Sequence, residues 1–224
     1  MKTALVRYVA QPVVRHLLTA LVIGASSCLA ACSLQGDAPA PEYRLTPQQL
    51  AWQPYHEGQV LRFGNARTTA VRTYAVSKLT DQMVTAYCSV CLSEQPKYQE
   101  ISVQMQRTDT ASVKFTALSL QLYRARASGS DAPVLRATEG WTTHSTPGLP
   151  LDQIDRGQPL DSTQYFHVKL LPSLTLGTVT YSQVVRSPSF GVPDQGIVAV
   201  LYFTKNQGVV GFEEVSSGLW YRLP

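Results

Sequence analysis

From Glu100 to Gln106 the chain alternates strictly. Ile101, Val103 and Met105 are apolar, while Glu100, Ser102, Gln104 and Gln106 are polar. Successive side chains of a strand point to opposite faces, so this pattern describes a strand with one dry face and one wet face. After Trp52 no stretch carries a convincing helical period, whereas strand signals recur. Val113, Phe115 and Ala117 continue the alternation, and the apolar phase then slips by one to Leu118, Leu120 and Leu122. A one-residue slip turns every side chain to the other face, which predicts a bulge or bend near Ala117–Leu118.

The same reading extends to the C-terminus. Phe166, Val168 and Leu170 alternate with His167 and Lys169 until Pro172, which breaks the run or puts it at an edge. A second strand is expected from Thr175 to Val185. Residues Ile197 to Thr204 are nearly all apolar and predict a central strand covered on both faces. Lys205-Asn206-Gln207-Gly208 reads as a hairpin turn into Val209–Glu213, and Ser216-Ser217-Gly218 as another into Leu219-Trp220-Tyr221. A three-strand meander therefore closes the chain. Thr46 and Pro47 carry an N-cap and first-turn signal for one or two helical turns. Gly and Pro at 14 each, with short strands between turns, indicate an all-β domain, an antiparallel sandwich or an incomplete barrel. Ser128 to Pro159 shows little periodicity and is expected to be a long loop excursion or a seam between two β-subdomains. One domain is the preferred reading.

The first 31 residues differ. Lys2, Arg7 and Arg15 are basic, no acid precedes Asp37, and Leu17 to Ala31 is an uncharged stretch of 15 residues. A basic start, a short apolar run and a small-residue exit mark a secretory signal. At about 1.5 Å per residue the run spans roughly 22 Å as a helix, short of the ~30 Å hydrocarbon core. Its end, Leu29-Ala30-Ala31-Cys32, resembles the lipobox of bacterial lipoproteins. The resemblance implies cleavage before Cys32 and lipid on its thiol and freed amine. Cys28 is the rival acceptor, but Ala25 fits the −3 position less well than Leu29. Ser33 follows Cys32; in the lipoproteins this resembles, a residue other than Asp there usually means export to the outer membrane. The expected organisation is a signal peptide at 1–31, a lipidated cysteine and tether at 32–44, and a single β-rich domain at 45–224. The expected place is the cell envelope, on a membrane through lipid on Cys32. Trp52 to Asn65, together with Gly208–Phe212 and Gly218–Tyr221, looks like the opening and closing strands of a group of uncharacterised β-rich bacterial outer-membrane lipoproteins. That group implies no activity.

Charge narrows the partners. Of 19 Lys and Arg, three precede Cys32, so 16 remain against 15 Asp and Glu, a net of +1. A polyanion binder shows a basic surplus or stripe, so nucleic acid is not expected. The tether from Ser33 to Glu42, with alternating prolines, is expected to be semi-extended and to hold the domain close to the bilayer.

Candidate chemistry is sparse. Cys88-Ser89-Val90-Cys91 has the spacing of a redox pair, but no long helix follows to lower a thiol pKa. Position 92 is Leu, where haem attachment needs His, and no second pair completes a zinc site. A local disulfide between Cys88 and Cys91 is the favoured reading, with free or metal-bound thiols and redox catalysis as alternatives. His56, His144 and His167 show no ligand spacing. Ser145, His144 and Asp152 lack a nucleophile elbow. Asp152 and Asp155 lack calcium-loop spacing and read as solvated loop acids. Tyr55, Trp141, Tyr165, Tyr202, Trp220 and Tyr221 suit either core or a binding surface. No catalytic residue, cofactor or metal ligand is assigned. The expectation is a non-catalytic accessory protein binding an envelope protein or the cell-wall matrix. A carrier of a small apolar ligand in an incomplete barrel is the alternative, and an enzyme with an unrecognised site the third.

Overall fold

The computed structural model describes residues 39–85, 95–109, 117–124, 133–139, 147–163, 165, 167–189 and 198–224. Residues Pro41–Pro224 make one compact unit, built on a twelve-stranded sheet that curls into an incomplete barrel. The strands in chain order are β1 (Glu42–Tyr43), β2 (Val60–Asn65), β3 (Val71–Thr85), β4 (Lys97–Arg107), β5 (Ala117–Arg124), β6 (Pro133–Glu139) and β7 (Leu149–Pro150). They continue with β8 (Lys169–Leu176), β9 (Val179–Pro188), β10 (Val198–Thr204), β11 (Gly208–Glu214) and β12 (Gly218–Arg222). Two short helices join them, α1 (Pro47–Leu50) and α2 (Leu151–Asp155).

The order across the sheet is β7-β6-β5-β4-β3-β2-β12-β11-β10-β9-β8. The chain starts in the middle at β2 and meanders to one edge. It then crosses to the other edge and meanders back, until β12 pairs antiparallel with β2 through Trp220↔Asn65 and Arg222↔Phe63. The two segments read from the sequence as opening and closing strands are thus neighbours. β1 lies off this path, parallel to the start of β4.

Inward residues fill the curl. Ile101, Val103 and Met105 on β4 and Leu118, Leu120 and Leu122 on β5 are buried, as their alternation requires. They join Leu61, Phe63, Val76, Leu135, Leu201, Phe203, Phe212 and Trp220 in one cluster that reaches from β2 to β12. Leu45, Trp52 and Tyr55 from the α1 segment and Leu151 from α2 enter the same cluster. Thr46 caps α1 reciprocally with Gln49, with Pro47 in the first turn as its sequence foretells.

A second apolar cluster lies on the opposite face of the C-terminal strands, with Leu176, Tyr181, Val184, Val200, Tyr202 and Val210. β10 therefore alternates between two dry faces: Leu201 and Phe203 join the first cluster, Val200 and Tyr202 the second. That is why its sequence is continuously apolar. β9 pairs with β10 only from Val185 to Pro188, and its earlier half lies in the second layer. Gln183 has φ 51, and its neighbours Val184 and Val185 are both fully buried, in different clusters. The β8–β9 hairpin reaches β11 and β12, with Gly177 against the Tyr221 ring and Leu176 against Gly211.

Three expectations change, and the alternatives left open at Pro172 are resolved. Thr175–Val185 is not one strand, because Gly177 (φ 59) turns the chain between β8 and β9. Pro172 lies within β8, which is an edge strand and tolerates a missing donor. The pairing of β5 with β4 runs from Ala117 to Tyr123 without a register shift, so no bulge sits at Ala117–Leu118; Val113 and Phe115 lie outside the described residues. Ser128–Pro159 is not all loop, since β6 adds a full strand to the sheet and β7 and α2 follow.

Candidate functional site

Among the described residues, a buried polar cluster lies where β2, β3, β11 and β12 meet. Arg72 on β3 forms an ion pair with Glu214 at the end of β11, with side chains only 11% and 4% exposed. Its guanidinium carbon also sits 3.9 Å from the centroid of Trp220 on β12. The Ser217 hydroxyl donates to Glu214 and accepts from Trp220 Nε1 at 2.8 Å. Asn65 Nδ2 donates to the Ser217 carbonyl at 2.9 Å, while Asn65 Oδ1 accepts from the backbone of Arg67 and Thr68. Each side chain is engaged with another, although Arg72 Nε is buried without a hydrogen-bond partner. The Glu214 carboxylate faces a cation and Ser217 is spoken for on both sides, so the arrangement locks two turns to the β2–β12 seam rather than activating a nucleophile. Nearby, partial burial pushes the Asp109 carboxyl up, but hydrogen bonds from Arg107 and the Thr73 amide hold it below its ordinary value.

A second group ties the helices to the sheet. Gln49 on α1 donates to Asp152 on α2 at 3.1 Å, and Trp52 Nε1 donates to Asp155 at 3.2 Å. Lys205 in the β10–β11 turn pairs with Asp155 at 2.7 Å, and the Asn206 amide donates to the Ala51 carbonyl. Asp152 and Asp155 are therefore structural ties on a helix, not solvated loop acids. The sequence hid this because their partners lie 50 to 103 residues away.

On the outer face, the Tyr202 phenol donates to Glu213 on β11. Burial, with that acid beside it, pushes its pKa up to about 12.

The aromatic candidates fall mainly in the core. Trp220 stacks on Phe212 at 6.1 Å. Tyr55 lies under Gly208, and its phenol oxygen accepts from the Val209 amide at 2.6 Å. Tyr202 is buried, whereas Tyr165 and Tyr221 are half-buried. His56 is exposed, and His167 (φ 67) sits in a turn before β8 rather than on a strand. Trp141, His144 and Ser145 lie outside the described residues, as do Cys32, Cys88 and Cys91. Among the described residues no three His, Cys, Asp or Glu gather at metal-binding distance, and no helix is long and apolar enough to cross a membrane.

One surface was not foreseen. Where Pro41 joins the sheet, its carbonyl accepts from the Lys97 amide at 3.0 Å. Tyr43 stacks on Tyr98 at 5.1 Å, and the Arg124 guanidinium stands 5.6 Å from the Tyr43 ring. Arg124 also donates to the Arg44 carbonyl at 3.4 Å. Sequence reading missed it because Tyr43, Tyr98 and Arg124 are far apart in the chain and come together only through the pairing of β1 and β5 with β4. No protein-family model, curated protein or solved structure matches the chain.

Proposed function

We propose that this protein is a lipid-anchored envelope lipoprotein, held at the outer membrane through Cys32, whose β domain acts as a non-catalytic accessory that binds another envelope protein or the cell-wall matrix. The observation that carries it is Leu29-Ala30-Ala31-Cys32 after a basic, apolar leader, followed by only eight residues before Pro41. The interior supports a binding role played from the surface. Val103, Leu122, Leu149, Leu151 and Val209 are fully buried, and Leu61, Phe63, Met105, Leu120 and Phe203 nearly so. A cavity the size of a ligand among them would leave their surfaces accessible. That favours the accessory reading over the carrier, which draws on the curl of the sheet alone. A local disulfide between Cys88 and Cys91 belongs to the same proposal, since an exported domain sits in an oxidising compartment.

The test starts with the anchor. Cells fed labelled palmitate should yield a labelled protein in the membrane fraction, and Cys32→Ser should abolish both label and membrane retention. A labelled Cys32→Ser protein would refute Cys32 as the acceptor. Mild cross-linking in intact cells should then recover a specific partner with the native protein and not with Cys32→Ser.

A further inference from the structure

The outer face of β4, β5 and β6 offers more hydrogen-bonding groups than the domain uses. Alternation sends Val103, Leu120 and Leu135 into the core and leaves Ser102, Gln104, Gln121, Tyr123 and Arg136 on the other side. The register sets them next to one another. Ser102 lies opposite Gln121 and Gln121 opposite Arg136, so one row crosses three strands. Gln104 and Tyr123 stand in the rows on either side of it. Gln104 and Arg136 are exposed, and the other three are half-buried. Among the described residues none of these five side chains has a hydrogen-bond partner. The Tyr123 phenol and the Arg136 guanidinium come together over Gly148, each 3.9 Å from the position a Cβ would take there, with a Val134 methyl beside them. Border charges nearly cancel, with Lys78 opposite Gln104 and Glu100 opposite Tyr123. A face kept wet for solubility is ordinarily carried by interspersed charges of both signs, whereas the middle of this one carries two amides, a hydroxyl and a phenol.

We propose that this face binds a short stretch of the cell-wall glycan, a β-1,4-linked chain of N-acetylated sugars. Ser102, Gln104 and Gln121 take its hydroxyl and acetamido groups, the Tyr123 ring lies against a sugar, and Arg136 meets a carboxylate of the polymer. The proposal names the partner within the accessory reading above and rests on it, since only an exported domain meets that polymer. Adjacent strands lie ~4.8 Å apart, close to the advance of one sugar in such a chain. Sugars laid across β4, β5 and β6 therefore meet Ser102, Gln121 and Arg136 in turn. A side-chain amide presents a planar donor and acceptor together, which suits an acetamido group or two neighbouring hydroxyls. The guanidinium fork matches a carboxylate, and a tyrosine ring gives rigid apolar area with a polar tip. Each of these bonds replaces one to water, so the gain per contact is small. A lipid tether compensates by holding the domain beside the matrix at high effective concentration.

The full protein, purified from membranes in detergent, is mixed with protein-free cell-wall sacculi and sedimented. Saturable co-sedimentation is expected, and the soluble β-1,4 trimer of N-acetylglucosamine should compete it away. Gln104→Ala combined with Gln121→Ala should weaken binding about ten-fold or more, each lost contact being worth several-fold. Lys169→Ala on β8 should leave binding unchanged. Both proteins should keep the thermal midpoint of the native one, because none of these side chains enters an apolar cluster. Binding that the double variant leaves intact would overturn the proposal, and so would binding that the trimer does not compete, whatever the variants do. If sacculi bind nothing, Gln104→p-benzoylphenylalanine, irradiated in living cells, separates the two failures. A protein captured there gives the face to a protein partner, which overturns the glycan and keeps the accessory reading. No adduct at all overturns both.

Discussion

Glu214 is buried at the end of β11 with Arg72 and Ser217 as its partners. An ion pair removed from water contributes little by its mere presence, but breaking one leaves the other charge stranded, typically at about 3–5 kcal/mol. Glu214→Gln should therefore lower the unfolding free energy measured by urea titration by that order, because the charge that compensates Arg72 is gone. A change under about 1 kcal/mol would mean the pair is solvated and the lock is not one. Tyr55 makes a pH prediction. Its burial pushes the phenol up to about 12, partly offset by the Val209 amide and the charge of Arg222. In the unfolded chain it ionises near 10. Above pH 10 the folded form keeps a proton that the unfolded form has lost, so stability is fully present below pH 10 and falls as pH rises towards 12. Two pKa units correspond to about 3 kcal/mol. Tyr55→Phe should lack this portion of the alkaline fall, which urea titrations across that range would reveal. Nothing in the sequence around Glu214 or Tyr55 announces either role, since Arg72 is 142 residues away and Val209 is 154.

At the scale of elements, turns are where sequence and structure agree best. The Lys205–Gly208 and Ser216–Gly218 turns were legible because Asn and Gly take left-handed φ at low cost, and Asn206, Gly208 and Gly218 all do so. Gly208 does more than turn. It has φ 71, and a Cβ there would overlap the Tyr55 ring. Gly58 has φ 79 with nothing within 4 Å. Gly208→Ala should thus destabilise by about 2–4 kcal/mol, combining strain with overpacking, and Gly58→Ala by only about 1 kcal/mol. Thermal midpoints of the two variants separate steric fit from backbone strain; equal losses would contradict the packing of Tyr55 under the turn. The long strand β3 was illegible for a physical reason. Its pairing with β4 slips at Ser77, so inward Tyr74 and Val76 are followed by Leu79 out of phase, and Asp81, opposite Ile101, accepts hydrogen bonds from the Gln99 side chain. β6 was missed because its seven residues, Pro-Val-Leu-Arg-Ala-Thr-Glu, carry only a short apolar signal; β5 recruits it.

Across the whole sheet, one seam joins two meanders. β2 meets β12 there, and Phe63 contacts Tyr74 at 5.8 Å and Phe212 at 5.2 Å between ring centroids. Because the apolar cluster runs through this seam from one meander to the other, the two should unfold together. Phe63→Ala is expected to remove about 3–5 kcal/mol while far-ultraviolet circular dichroism and tryptophan fluorescence still report one coincident transition. Separate transitions for the two probes would show that each meander stands alone. The sequence by itself determined the class of structure, the closing meander and the capped turn of α1, since each rests on neighbours in the chain: alternation, turn chemistry, a cap. Only the tertiary structure decided that the sheet curls into an incomplete barrel instead of splitting into a sandwich, that the β8–β9 hairpin adds a second apolar layer against β10–β12, and that Asp152 and Asp155 tie helices to a distant turn. Those outcomes depend on pairings between residues far apart in sequence, which period and spacing do not encode.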